Sequence, residues 1–109
     1  MSNEIAYYLR LNSPGAKELK TFAVDVFGSP AAVTSHLESG YTRKGMAFYN
    51  NSNAASGEVL WGGSDLSHGN GMPLPKGSIC EIPVSTDVAV YVMNTVSGEI
   101  GNLRVVEIA

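Results

Sequence analysis

Apolar and polar residues alternate with a period of two along most of this chain. Successive side chains of a β-strand point to opposite faces, so such alternation marks half-buried strands. Glu4–Asn12 reads EIAYYLRLN, with Ile5, Tyr7, Leu9 and Leu11 facing one way and Ala6, Tyr8 and Arg10 the other. Ser13-Pro14-Gly15 ends the run, because proline fixes φ and glycine takes turn angles that other residues avoid. Leu19–Phe27 alternates next, with Phe22, Val24 and Val26 on one face and Leu19 leading in, and Gly28-Ser29-Pro30 closes it.

Pro30–Ser39 carries two readings. Val33, Ser35 and Leu37 alternate as a strand or irregular segment, whereas Ser29 and Pro30 could open a single helical turn.

The middle of the chain, Arg43–Val84, organises the rest. Gly45–Asn50 and Glu58–Trp61 are short apolar runs joined by the polar link Asn51–Ser56, which predicts a β-hairpin. Met46, Phe48 and Asn50 share one face of the first run. Gly62-Gly63-Ser64-Asp65 breaks the second run, and a Gly/Pro/Asn-rich loop, Ser64–Gly77, follows. Met72 and Leu74 alternate inside that loop and are expected to anchor it across the domain. Ser78–Val84 returns as a strand, and Pro83 marks its end or a sheet edge because proline cannot donate to a ladder. Val88–Asn94 is the most apolar run, and Ile100–Ile108 closes the chain with Leu103, Val105 and Ile108 expected inward. These last two runs predict a hairpin about Ser97-Gly98.

Seven or eight short strands separated by turn signals, without a βαβ rhythm, place the chain in the all-β class. The expected architecture is a single small β-sandwich, jelly-roll-like, or a barrel of antiparallel strands. One domain spans residues 1–109, with residues 1–12 read as an N-terminal arm or edge strand.

Composition narrows the function. Charged residues make up 16% of the chain, against about 25% in an average globular protein. Two readings of this remain open: a surface partly covered by other chains, or a β protein with uncharged polar loops. The formal net charge is −3, and the lysines and arginines are scattered, so no basic stripe interleaved with aromatic residues exists to hold nucleic acid. No run approaches the ~20 apolar residues of a membrane-spanning helix, and the first residues lack the basic start and apolar run of a signal peptide. The expectation is a protein made in a cytoplasm, with no membrane partner.

Candidate chemistry is sparse. Cys80, alone of its type, sits in an apolar alternation and is expected to be a small buried hydrophobe. Neither His36 nor His68 is paired by sequence with Cys80 or with a serine, and no Gly-x-Ser-x-Gly elbow occurs. The carboxylates Asp25, Glu38, Glu58, Asp65, Glu81, Asp87, Glu99 and Glu107 fall mostly on polar faces or in turns. Asp65, Ser67 and Asn70 read as turn stabilisers, not a calcium loop, and the glycines lack the lysine of a phosphate-binding loop. No catalytic residue, cofactor site, metal site or small-molecule substrate is expected, so the chain is read as a non-enzyme. Trp61, Tyr49 and Tyr91 are candidates for an aromatic platform, with core packing as the alternative.

One resemblance adds to this. Asn50-Asn51-Ser52, Gly62-Gly63-Ser64-Asp65, Asn70-Gly71-Met72-Pro73-Leu74 and Arg104-Val105 follow one another across residues 43–107. This order resembles that of a recurring type of small tailed-phage virion protein, the capsid decoration or cement type. The resemblance implies a β-sandwich that binds the major capsid protein, or another virion protein, on the outside of the shell. It also implies a homo-oligomer, dimer or trimer, located in the virion. No catalytic residues come with it. Alternatives are a tail, baseplate or fibre-attachment component, and a carbohydrate-binding β-sandwich using Trp61 and the Ser64–Gly77 loop. Interface candidates are Tyr7, Tyr8, Trp61, His68, Met72 and Leu74, and the tyrosine-rich start is a candidate for addition to a neighbour's sheet edge.

Overall fold

The computed structural model describes residues 17–53, 58–96 and 98–109, in which the chain forms eight strands and no helix. The strands are β1 (Leu19–Val26), β2 (Ala31–Ala32), β3 (Gly45–Asn50), β4 (Val59–Gly62), β5 (Met72–Leu74), β6 (Ile79–Ile82), β7 (Tyr91–Asn94) and β8 (Gly101–Ile108). Two four-stranded antiparallel sheets result, in the orders β1-β8-β3-β6 and β2-β7-β4-β5. The predicted run Glu4–Asn12 lies outside the described residues.

The pairings nest. β4 pairs with β5, β3 with β6, β2 with β7 and β1 with β8, all antiparallel. A chain folded as one long hairpin and then rolled over produces this order, which is the eight-stranded jelly roll. The all-β sandwich expected from the alternation is therefore what forms, as two facing sheets and not a closed barrel. Pro30–Ser39 supplies the two-residue β2 and then an irregular stretch, without a helical turn.

The core lies between the sheets. Met46 and Phe48 on β3, Leu103 and Val105 on β8, Val59 on β4, Leu74 on β5 and Val92 on β7 are buried together. Phe22 and Val24 close the β1 side as predicted, whereas Leu19 points outward and is exposed. β8 departs from its expected pattern. The inward stripe is Leu103, Val105 and Glu107, and Ile108 falls on the outer face opposite Gly45, although it too is buried.

Both predicted hairpins are absent. β3 and β4 lie in different sheets, and so do β7 and β8. Alternation fixes which way side chains point, not whether the next strand pairs with its neighbour or crosses to the other sheet. The crossings are organised by two fully buried asparagines at strand ends. Asn50 Nδ2 donates to Leu74 O at 2.7 Å, and its Oδ1 accepts from the Ser52 amide at 3.0 Å. Asn94 repeats the device, donating to Glu99 O at 3.1 Å and accepting from the Val96 amide at 3.2 Å. Each satisfies backbone groups that the ladder no longer reaches as the chain leaves its sheet. A buried polar group left unpaired costs about 1–3 kcal/mol, so these side chains make the crossings affordable in the core.

Candidate functional site

The candidate surface residues separate by face. Trp61 is half-buried on the inner face of β4, packed against the core. Met72 is its register partner on β5 and stands exposed, so these two meet at the open border of the sandwich. Leu74, two residues on, pairs with Val59 and is a core residue, closed off from any partner. His68 is exposed in the turn between β4 and β5. Tyr7 and Tyr8 lie outside the described residues.

Of the two anchors expected for the loop after β4, Leu74 is buried in the core and Met72 is exposed. Leu66, not Met72, holds it: Leu66 packs with Leu60 and Met93 on the outer face of the second sheet, beside Tyr91. The close approach depends on Gly71, where a Cβ would meet Leu60 Cβ at 2.7 Å and Leu66 Cδ1 at 2.8 Å. Asn70 fixes the turn by donating to Asp65 O at 2.9 Å and accepting from the Ser67 amide at 2.7 Å. Asp65, Ser67 and Asn70 are thus used as turn chemistry. Among the described residues, no three His, Cys, Asp or Glu side chains gather where they could hold a metal ion.

One charged constellation escaped sequence reasoning. Glu107, expected on a polar face, is fully buried and faces Arg43, itself buried just before β3. Arg43 Nη1 donates to Glu107 Oε2 at 3.0 Å. Its Nε donates to Val84 O at 3.1 Å, and its Nη2 to Ser85 O at 3.0 Å and Val88 O at 2.9 Å. The other carboxylate oxygen accepts from the His36 amide at 2.6 Å. The pair therefore ties β8 to the segments around residues 36 and 84–88. Sealed from solvent and partnered on both sides, the pair acts as a clasp between these segments. The readable signal was parity, because Glu107 occupies the third place in the apolar stripe that Leu103 and Val105 begin.

The histidines and the cysteine stay apart. The His36 ring stacks on Phe22 with centroids 3.7 Å apart and planes 12° from parallel. Cys80 sits opposite Phe48 against the core, where burial first, and then the Glu81 carboxylate, push its thiol above the ordinary value. The aromatic candidates also part company. Register and packing put Trp61 on the inner face of the second sheet, Tyr91 on that sheet's outer side, and Tyr49 on the outer face of the first sheet.

That last face carries a groove of about 780 Å³. Its floor is the small side chains Thr21, Ala23 and Ala47, and Tyr49, Val106 and Arg104 rise beside them. The lining is chiefly apolar with a single cation, Arg104.

Comparison with known protein families and with curated proteins finds no match to this chain.

Proposed function

We propose that this chain is a non-enzymatic structural protein of a phage particle, a capsid decoration or cement protein that binds the major capsid protein shell and stabilises it. The observation that carries the reading is where the phage-like motifs fall. Asn50-Asn51-Ser52 forms the buried crossing out of β3, and Gly62-Gly63-Ser64-Asp65 opens the turn that Leu66 anchors. Asn70-Gly71-Met72-Pro73-Leu74 supplies the tight packing and β5, and Arg104-Val105 lies on β8. These residues specify the jelly roll itself, an architecture used in viral capsid proteins and also in lectins. A fold does not by itself fix a function, so the resemblance is what selects the first over the second. Trp61, Tyr49 and Tyr91 lie on three different faces and so share no aromatic platform.

A cement acts by binding the assembled shell and not its free subunits, which stabilises assembly by mass action. It needs complementary surface, not catalytic groups, and functions as a dimer or trimer on the particle exterior. The test is to add purified protein to shells that lack it. Saturable binding with a raised temperature of shell disruption is the expected result. Failure to bind intact shells would overturn the proposal.

A further inference from the structure

Four strands form the edges of the two sheets: β1 and β6 of the first, β2 and β5 of the second. An open edge presents unpaired N–H and C=O groups to any passing strand, and proteins blunt such edges with short strands and prolines. Three of the four are blunted here. β2 has two residues, β5 has three with Pro73 in the middle, and β6 has four with Pro83 directly after it. β1 has eight residues and no proline, and among the described residues it pairs with β8 alone. The lysine on β1, Lys20, is engaged by Glu18 of the same chain at 3.6 Å.

Glu18 and Ala109 exchange both of their backbone hydrogen bonds, at 2.9 Å each. Bonded and non-bonded pairs alternate along an antiparallel ladder, so Lys20, Phe22, Val24 and Val26 are the β1 residues that bond to β8. The amides and carbonyls of Leu19, Thr21, Ala23 and Asp25 therefore point away from β8, to the open edge. All four residues are exposed, and so is Phe27 just past the strand. Leu19 is 54% and Phe27 52% exposed, two large apolar side chains at opposite ends of one edge. This set is complementary to itself. Turned end for end about Ala23, Leu19 meets Phe27, the Thr21 hydroxyl meets the Asp25 carboxylate, and Ala23 meets Ala23.

We propose that the open edge of β1 binds a second copy of this chain, by antiparallel pairing of β1 with β1 about a two-fold axis at Ala23. Such an isologous pairing adds about six backbone hydrogen bonds, two at each of the Thr21–Asp25, Ala23–Ala23 and Asp25–Thr21 pairs. The apolar and hydroxyl–carboxylate neighbours across the axis hold the register. The two four-stranded first sheets become one continuous sheet, with the two β1 strands at its middle. Such a dimer gives the self-association of the proposed cement protein a surface, yet it follows from the strand edge and not from that role. Failure to dimerise would leave shell binding untouched, and failure to bind shells would leave the dimer standing.

The experiment combines sedimentation with cross-linking on the full chain. Sedimentation equilibrium is expected to show the mass rising with concentration to twice that of one chain. Ala23→Glu sets two carboxylates against each other across the axis, while Arg104, the β8 neighbour of residue 23, receives each within its own copy. This variant is expected to stay folded by circular dichroism and to raise the dimer dissociation constant at least about tenfold. In a Cys80→Ala background, Ala23→Cys is expected to form an intermolecular disulfide under copper–phenanthroline oxidation. Facing Cα atoms of a bonded antiparallel pair lie ~5.5 Å apart, within disulfide reach. Thr21→Cys is expected to form none, because the same register sets its two copies about 13 Å apart along the strands. A monomer at every concentration would overturn the proposal. So would a dimer that Ala23→Glu leaves as tight as the parent, or cross-linking at Thr21→Cys in place of Ala23→Cys.

Discussion

Arg43 and Glu107, 64 residues apart in sequence, meet as a buried ion pair across 3.0 Å. Neither charge reaches solvent, and the remaining polar atoms of both are largely spent on backbone groups of two other segments, around residue 36 and in 84–88. Removing one partner of such a pair strands the other charge in a medium that solvates it poorly, at about 3–5 kcal/mol. Glu107→Ala is therefore expected to lower stability by that amount in urea unfolding. The double change Arg43→Met with Glu107→Leu is expected to remain destabilising, in contrast to buried pairs that apolar residues replace at no cost. The reason is that Val84, Ser85 and Val88 each lose a donor. A double variant as stable as the parent would show that those carbonyls are satisfied without Arg43.

Gly71 is predicted to tolerate no side chain. A Cβ there would lie 2.7 Å from Leu60 and 2.8 Å from Leu66. Gly71→Ala should cost about 1–3 kcal/mol by overpacking. Adding Leu66→Ala should make the two changes less than additive, because the second opens the space that the first needs. Strict additivity in thermal unfolding would remove Leu66 from the explanation.

Asn50 and Asn94 serve as matched crossing points, so Asn50→Ala and Asn94→Ala should each cost about 1–3 kcal/mol. Asn50→Asp should also destabilise, since the carboxylate would face Leu74 O, which Nδ2 now supplies with a hydrogen bond at 2.7 Å. Equal stability of Asn50→Asp and the parent would mean that this bond contributes nothing.

Met72 and Leu74 differ by position on the same short strand. Leu74→Ala should cost about 2–5 kcal/mol as a core cavity. Met72→Ser should change stability little, and in a cement protein it is the one of the two suited to probe shell binding without unfolding the chain.

Cys80 sets a pH dependence. Its thiol is raised in the folded protein, so the unfolded chain ionises first as pH rises. The stability that this linkage contributes is complete below the unfolded thiol value, about 8.5, and is lost as pH climbs from there through the higher folded value. Alkylation of the folded protein at pH 8 should be slower than that of the urea-unfolded chain, and equal rates would contradict a thiol half-buried against the core.

The strands were legible because alternation is a local consequence of the β backbone. Phe22, Val24 and Val26, or Met46, Phe48 and Asn50, announce their inward face without reference to any other segment. The order of strands was not legible. The link from β3 to β4 has hairpin length, but Asn50 turns the chain into the other sheet through a bond to Leu74, which a local reading does not contain. Glu107 was misplaced because a carboxylate argues for the polar side unless its cation is known, and Arg43 is distant in sequence. Leu66 was passed over because a lone apolar residue among turn formers carries no period. The surface candidates fared unevenly for the same reason: chemistry identifies Trp61 and Met72 as sticky, while only packing tells Met72 from Leu74.

The most direct test of the virion reading is the number of copies per particle, measured by quantitative mass spectrometry of phage particles purified from cells that produce this chain. A copy number in fixed, comparable ratio to the major capsid protein is the predicted result. A handful of copies would contradict a shell-tiling cement and indicate a tail or vertex component, and absence from particles would contradict a structural role altogether.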